Sequence, residues 1–365
     1  MKMQTQNTKR GFTLLELTVS VAVGLVVFAA MTSLFRAGMN SSFLIAQRAE
    51  TQQNMRAAID LMTKDINQAG AGLPSGGIQL PTGVGNNGLS KYGCDQGGTC
   101  YVPAFTYPSV PNNNYMYGIL PGFSNGVQNN AVVLQSPGKR NDSITVIYAD
   151  YNFPLFEYNV AFPSTANALN VNLTPDPTFV PAPPAVNAAG GVQVGDLIML
   201  SNSRGTAVGE VTGLTATSLT FANLDALNIN QSGAASNNLQ AINPKLTTDK
   251  TTVAYRLFAV TYYLTVPLNG QLPRLMRQVN GLTPVPVADD IINIQFAYDV
   301  YNSTTAALDP NQPNPLGNAE SPNLIQKINI WVMGDSLTQK GNKSQNMYLA
   351  TSVSARNMAF RNRYQ

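Results

Sequence analysis

The first proline of the chain, Pro74, comes only after a long stretch that suits a helix, and this stretch constrains the fold most. Residues 17–34, LTVSVAVGLVVFAAMTSL, carry no charge and span roughly 27 Å as a helix. Extended back to Phe12, this segment can cross a bilayer. Beyond Arg36, apolar residues recur at spacings of three and four. They are Met39, Phe43, Ala46, Met55, Ile59, Met62, Ile66 and Ala69. We predict one helix from Phe12 to about Ala69, whose first half spans the membrane and whose second half is amphipathic.

The sequences flanking this helix indicate where it ends and how it is oriented. Residues 67–74, NQAGAGLP, contain the glycine and proline that are typical of a helix C-terminus. On the other side, Lys2, Lys9 and Arg10 precede the apolar run, and the first 15 residues contain no acid. The positive-inside rule therefore places the N-terminus in the cytoplasm and the rest of the chain across the membrane.

A single acid, Glu16, lies inside the predicted membrane segment. A carboxylate in the hydrocarbon costs about 2.5 to 3.5 kcal/mol on insertion scales unless it is neutralised or paired. Because Glu16 is near the cytoplasmic end, its side chain can reach the interface, which is one explanation for it. The other is that the carboxylate finds a partner in an assembly.

The residues around Glu16 resemble a known signal. Gly11 is followed by Phe12, and Glu16 is the fifth residue counted from Phe12, which resembles the class III signal of type IV pilins and pseudopilins. The resemblance implies that prepilin peptidase cleaves between Gly11 and Phe12 and that the new N-terminal residue is methylated. It also implies that Glu16 of one subunit meets the N-terminus of a neighbour during assembly.

The remaining sequence predicts a β-rich globular part. Residues 73–138 are rich in Gly, Pro and Asn, which indicates loops. From residue 142 onward, β-branched and aromatic residues alternate, which is typical of strands. The predicted strand regions are 142–150, 196–202, 206–214, 252–267, QLPRLMRQV, IINIQFAYDVYN, IQKINIWVMGD and MYLATSVSARNMAF. Asn269 and Gly270 predict a tight hairpin turn. Two proline-rich stretches, 174–186 and 308–323, are interpreted as surface excursions between strands.

These elements together resemble one branch of the pilin class. The helix end DLMTKDINQAG, the segment VGDLIMLSN and the final ARNMAFRNR resemble the PilW family of large minor pilins, and the helix end also resembles the J-type pseudopilins. The resemblance implies an α+β fold in which one long N-terminal helix packs on a large antiparallel β-rich domain. The expected organisation is a leader at 1–11, a helix at 12–70 with its transmembrane part at 12–35, and a periplasmic domain at 71–365.

Composition removes several classes of function. The chain has no histidine, so the commonest general base, zinc ligand and nucleophile pairs are missing. Its formal charge of +3 without a basic run gives nucleic-acid binding little support.

The candidate ligand and cysteine sites are few. Asp289 and Asp290 are adjacent but lack the spacing of a calcium loop. We expect no catalytic residue, no metal, no cofactor and no small-molecule substrate. Cys94 and Cys100 predict a local disulfide in an oxidising compartment.

The implied role is structural, in an inner-membrane protein that later enters a cell-surface pilus. Its partners would be prepilin peptidase, other minor and major pilins, the inner-membrane assembly platform and the membrane itself. A secretion-system pseudopilin, a membrane-anchored adhesin and a periplasmic enzyme remain alternatives. The loop region also contains an aromatic run, which comprises Tyr101, Phe105, Tyr107, Tyr115 and Tyr117. We interpret these side chains as packing the loop against the sheet, and the alternative is that they bind a carbohydrate or another surface. Arg356, Arg361 and Arg363 are interpreted as a solvated tail.

Overall fold

The computed structural model describes residues 11–81, 115–124, 141–162, 170–231, 238–244, 251–265, 273–315, 321–336 and 345–358. Its first element is the helix α1, Leu14–Gln68, which confirms the single long helix predicted from the sequence. Thr13 is the N-cap, and its side-chain oxygen accepts a hydrogen bond from the backbone N–H of Glu16 at 3.2 Å. At the other end the N–H of Ala69 donates to the carbonyl of Ile66, and Gly70 follows with a positive φ of 76°.

The two halves of α1 have different surroundings. In the first half the large apolar side chains are exposed from Phe12 to Ile45, and the most hydrophobic 18-residue window is 0% buried. By length and composition this is the one helix among the described residues that can cross a membrane. Burial begins at Thr51 and continues on one face. The predicted stripe was therefore wrong for Met39, Phe43 and Ala46, which are exposed because the globular domain does not reach them.

Seventeen strands follow α1 within the described ranges, in two large and two small antiparallel sheets. The strands are β1 (Ile78–Gln79), β2 (Tyr115–Met116), β3 (Ile119–Gly122), β4 (Ser143–Asp150), β5 (Tyr158–Ala161), β6 (Asn170–Pro175), β7 (Leu197–Asn202), β8 (Gly205–Glu210), β9 (Gly213–Leu214), β10 (Ser218–Thr220), β11 (Val253–Thr265), β12 (Arg274–Val279), β13 (Val285–Ala288), β14 (Ile291–Asn302), β15 (Ala307–Gln312), β16 (Ile325–Ser336) and β17 (Gln345–Ser354). Short 3-10 helices occupy Leu155–Glu157 and Pro322–Leu324.

The long strand β11 organises the seven-stranded sheet. Its first residues pair with β7 and its last residues pair with β12, while β4 lies on its other side. The sheet continues from β4 to β3, from β12 to β13 and from β7 to β8. The second large sheet has four strands in the order β15-β14-β16-β17. The two small sheets are β5-β6-β10-β9 and β1-β2.

The main core lies where α1 meets both large sheets. Met55, Met62 and Ile66 of the helix belong to one buried cluster with residues of β4, β11, β14 and β16. Gly334 of β16 lets the helix approach the sheet, because a Cβ at that position would lie 2.7 Å from the Thr51 methyl group. Burial of these apolar side chains stabilises the contact between helix and domain. The α+β pilin-like layout expected from the sequence is confirmed.

The interpretation of residues 308–323 also needs correction. The stretch 308–323 was interpreted as a surface excursion, but its first residues belong to β15, which pairs with β14. A proline in that strand, Pro310, weakened the strand signal. It is tolerated because β15 lies at the edge of its sheet, where one side makes no ladder hydrogen bonds. The predicted turn at Asn269 and Gly270 lies outside the described residues.

Candidate assembly site

The residues predicted to direct processing and assembly lie at the start of α1. Gly11 is in open space, since a Cβ built there would have no atom within 4 Å. Phe12 is 81% exposed. The helix begins two residues later, so Glu16 falls in its first turn, where the helix dipole favours an anion. Among the described residues, none forms an ion pair with the Glu16 carboxylate.

The exposed half of α1 is the largest unpartnered apolar surface of the described chain. Its large exposed side chains are Phe12, Leu14, Leu15, Leu17, Val19, Val21, Val23, Leu25, Val26, Val27, Phe28, Met31, Leu34, Phe35, Met39, Phe43 and Ile45. They surround the helix on all sides as far as Phe35, so this part needs an apolar environment on all sides. Lipid or a bundle of similar helices supplies one.

A buried carboxylate joins the last turn of α1 to the sheet. Asp65 is only 3% exposed and accepts hydrogen bonds from three side chains of the seven-stranded sheet. Tyr148 on β4 donates to Oδ1 at 3.0 Å, and Tyr262 on β11 donates to Oδ2 at 2.5 Å. Arg277 on β12 donates from Nε to Oδ2 at 2.9 Å. These contacts pair the charge and fix the position of the helix along the sheet.

The environment of Asp65 changes the titration of its partners. Burial raises the pKa of Tyr148 and Tyr262 well above the usual range, and the Asp65 charge raises both further. Both hydroxyls therefore stay protonated as donors. For Arg277, burial alone would lower the pKa, but the hydrogen bond and charge of Asp65 outweigh it and hold the pKa above its ordinary value.

Sequence reasoning missed Asp65 as an attachment residue, although a signal was present. Asp65 follows Met62 by three residues and precedes Ala69 by four, so it belongs to the apolar stripe of the helix. A charged residue at such a position requires a buried partner. Its partners Tyr148, Tyr262 and Arg277 are far away in sequence and carry no signal of their own.

The chain leaves the helix through a close backbone contact. The N–H of Gly70 donates to the carbonyl of Ile147 on β4 at 2.8 Å. Gly118 lies so close that a Cβ there would be 2.5 Å from the Gly70 nitrogen. Because backbone atoms occupy that space, a side chain at Gly118 would separate the helix end from the sheet.

A second buried ion cluster lies inside the globular domain. Arg256 on β11 donates from Nε to Oδ2 of Asp150 at 2.8 Å, and its Nη1 lies 3.7 Å from Oδ2 of Asp196. Its guanidinium carbon is 5.5 Å from the ring centre of Phe153 and 5.2 Å from that of Phe258. Burial raises the pKa of the Asp196 carboxyl, and Arg256 partly offsets this effect. The cluster cross-links strands of the seven-stranded sheet to the neighbouring turns.

A third buried carboxyl, Asp142, connects the two large sheets. Its Oδ1 accepts from the N–H of Ser124 at 2.8 Å, and its Oδ2 accepts from the N–H of Phe296 on β14 at 3.0 Å. Burial raises the pKa of Asp142 to about 6, although both backbone hydrogen bonds act in the opposite direction.

This raised pKa predicts a pH dependence of stability. Since the folded-state pKa lies above the unfolded value of about 3.9, the contribution of Asp142 is complete below about pH 4 and is lost as pH rises through 6. The loss amounts to roughly 3 kcal/mol. We expect Asp142→Asn to remove this part of the pH profile of the unfolding free energy. Identical pH profiles for the two proteins between pH 4 and pH 7 would contradict the assignment.

The other predicted residues are placed as follows. Cys94 and Cys100 lie outside the described residues, as do the first three aromatics of the aromatic run. Its last two, Tyr115 and Tyr117, stack with ring centres 5.8 Å apart, and Tyr117 is buried against the sheet.

The acidic pair considered for calcium contains Asp289, whose carboxylate forms an ion pair with Arg274 at 3.4 Å. No group of three potential metal ligands occurs in the described part of the chain. Arg356 is exposed just after β17.

Comparison with known families identifies the N-terminal segment. Residues 6–32 match the family model described as prokaryotic N-terminal methylation motif. This match supports a type IV pilin-like protein that prepilin peptidase processes. No curated protein and no solved structure matches the chain. The methylation motif covers Gly11, Phe12 and Glu16 and most of the exposed apolar helix, so the match and the geometry concern the same surface.

Proposed function

We propose that this protein is a minor pilin of a type IV pilus. Prepilin peptidase would cut between Gly11 and Phe12 and remove residues 1–11. The helix would hold the protein in the inner membrane with its N-terminus cytoplasmic and residues 71–365 periplasmic. It would then enter the pilus beside other minor and major pilins at the assembly platform. The observation that carries the proposal is the methylation motif on an exposed apolar helix.

The role assigned to Glu16 follows from electrostatics. Cleavage before Phe12 creates a new α-amine at the membrane face. In a low-dielectric helix bundle an ammonium and a carboxylate attract strongly, and each offsets the burial cost of the other. Glu16 has no ionic partner within the described chain, which leaves its carboxylate available for the α-amine of a neighbouring subunit.

The size of the domain supports a place at or near the pilus tip. The described part of the globular domain packs on one face of a single helix, and a copy of such a domain on every subunit would crowd a helical filament. A single copy at the end meets no such restriction. In this position the β-rich domain caps or docks neighbouring pilins.

Substitution at the cleavage site and at Glu16 tests the proposal. We expect Gly11→Leu to block removal of the leader and Glu16→Ala to leave the cleaved protein in the membrane, out of filaments. Cleavage is read from the N-terminal sequence, and incorporation is read from sheared filaments. Glu50→Ala, which removes an exposed acid beyond the membrane segment of the same helix, is the matched control. Unchanged filaments and an unchanged N-terminus in both variants would refute the proposal.

A J-type pseudopilin of a type II secretion system is the second candidate, because the same motif and helix serve both assemblies. A deletion strain separates the two. Loss of pili with secretion intact supports the minor pilin, and loss of secretion with pili intact supports the pseudopilin. A membrane-anchored adhesin is the candidate of another class. It predicts that the deletion strain keeps its pili and its secretion but binds surfaces less.

A further inference from the structure

The last strand, β17, differs from the other described edges of the two large sheets. Its ten residues, QNMYLATSVS, contain no charge and no proline, and among the described residues it pairs with β16 alone. The other edges of the two large sheets are protected or short. β3 contains Pro121, β13 contains Pro286 and β15 contains Pro310. β8 has only six residues, and the backbone of its last residue, Glu210, is hydrogen-bonded to Asn230. Proline, charge and short length are the usual protections against pairing with another chain.

The side chains of β17 form one inner and one outer face. Met347 and Leu349 on the inner face pack against the core under α1. On the outer face Tyr348 is 79% exposed, and Trp331 of the neighbouring strand, the only tryptophan of the chain, is 40% exposed beside Ala350. The outer face therefore offers aromatic side chains around Tyr348, beside a strand edge with which no other described strand pairs.

The direction of β17 relative to α1 restricts what can pair with it. At its start Met347 is opposite Gly334, which lies against Thr51 near the beginning of the buried half of the helix. Just past its end, Asn357 donates to the carbonyls of Asn67 and Ala69 at 3.4 Å. The strand therefore runs in the same direction as the helix, away from the membrane, over about 34 Å.

This direction excludes antiparallel pairing of two copies. If two β17 strands paired antiparallel, their two α1 helices would point in opposite directions, and both anchors could not enter one membrane with the same orientation. Antiparallel pairing, which is more stable per residue than parallel pairing, then requires a strand that runs toward the membrane, and β17 of a second copy is not such a strand. The lack of charge on β17 favours an equally uncharged strand with aromatic or β-branched residues beside Tyr348.

We propose that the free edge of β17 binds a β-strand of a neighbouring, non-identical subunit, antiparallel to β17, and so extends the four-stranded sheet. The strand would be uncharged and extended, and backbone hydrogen bonds along its length would supply the affinity. The inference rests on the proposed function, because it takes the partner from the same assembly. It adds a second contact, outside the membrane, to the one made by the apolar helix.

Photo-crosslinking in living cells tests the pairing and its direction. The photoreactive residue benzoylphenylalanine replaces Tyr348 or Ser352 in the full chain, and Ala307 on the protected edge β15 is the control position. We expect both β17 positions to join the same partner subunit, with at least about tenfold more product than at Ala307. Because antiparallel strands run in opposite directions, the partner residue joined to Tyr348 should lie about four residues after the one joined to Ser352.

Three other results would overturn the inference. The first is a crosslink to a second copy of this chain. The second is a partner in which the residue joined to Tyr348 precedes the one joined to Ser352, and the third is an equal crosslink yield at β15 and β17. Crosslinks are read in total membranes and in sheared filaments, and the N-terminus of the chain is sequenced in the same samples. An uncleaved chain that is missing from filaments refutes the proposed function. A cleaved and incorporated chain without β17 products refutes only the strand pairing.

A lysine substitution provides an independent test. A lysine on an edge strand hinders pairing with another chain. We expect Ser352→Lys to reduce incorporation into filaments at least about tenfold, and Ala307→Lys to leave it unchanged. Both positions are exposed, and equal thermal unfolding of the two variants verifies that the domain is intact. Full incorporation of Ser352→Lys would contradict the pairing.

Discussion

Asp65→Ala is expected to lower the free energy of unfolding of the domain by about 3 to 5 kcal/mol, which is the usual cost of breaking a buried ion pair. The substitution leaves the Arg277 guanidinium without its carboxylate and removes the acceptor of the Tyr148 and Tyr262 hydroxyls. The loss weakens the contact that holds the helix at one position on the sheet. Urea titration of the full chain in detergent micelles, followed by circular dichroism, measures the change.

The matched control for this prediction is Asp60→Ala. Asp60 is exposed on the same helix one turn earlier, so we expect a change within about 0.5 kcal/mol. Replacing both Asp65 and Arg277 by apolar residues should cost less than the sum of the single changes, because no unpaired charge is left buried. If Asp65→Ala and Asp60→Ala unfolded at the same urea concentration, the attachment role of Asp65 would be wrong.

Arg256→Met is the second substitution with a large expected effect, again about 3 to 5 kcal/mol at neutral pH. It leaves Asp150 and Asp196 buried at 4% and 2% exposure without their cation. The pKa of Asp196, which burial already raises, should then rise further, because the guanidinium no longer lowers it. As pH falls toward this raised pKa, the Asp196 carboxyl takes up a proton, so the difference in stability from the wild type should shrink between pH 7 and pH 5.

The pH dependence distinguishes this effect from a simple loss of packing. Loss of contacts with Phe153 and Phe258 would lower stability equally at both pH values. Arg204→Met, which removes an exposed cation at the turn between β7 and β8, is the control and should leave stability nearly unchanged. A deficit that stays constant between pH 7 and pH 5 would show that charge pairing is not the cause.

These predictions separate the two parts of the protein. Asp65 and Arg256 are expected to affect the stability of the folded domain, whereas Gly11 and Glu16 are proposed to direct processing and assembly and make no described contact with the domain. A variant at Gly11 or Glu16 should therefore unfold like the wild type in micelles. Failure of assembly in these variants can then be assigned to the N-terminal segment itself.

Local patterns predicted the elements well. The spacing of apolar residues predicted α1, because a helix repeats its faces every 3.6 residues regardless of what covers them. Alternation likewise located the long strands β4, β11, β14 and β16. The strand β15 was not predicted, because it contains Pro310 and a proline argues against a strand unless the strand is known to lie at a sheet edge.

Contacts between distant residues could not be predicted in the same way. The three donors to Asp65 come from β4, β11 and β12, and the sequence does not state which strands are neighbours in the sheet. The exposure of Met39 and Phe43 was missed for the same reason, because a stripe indicates which face is apolar but not how far the covering domain extends.

The helix, its apolar half, the methylation motif and the β-rich character of the remainder could all be predicted, because each depends on residues close together in the chain. The fold was needed to show where the helix meets the sheets, which buried charges are paired, and that β17 is an edge without proline or charge in the described chain. The physical reason is that pairing and burial depend on which distant segments become neighbours, and many arrangements of the same strands satisfy the same local pattern.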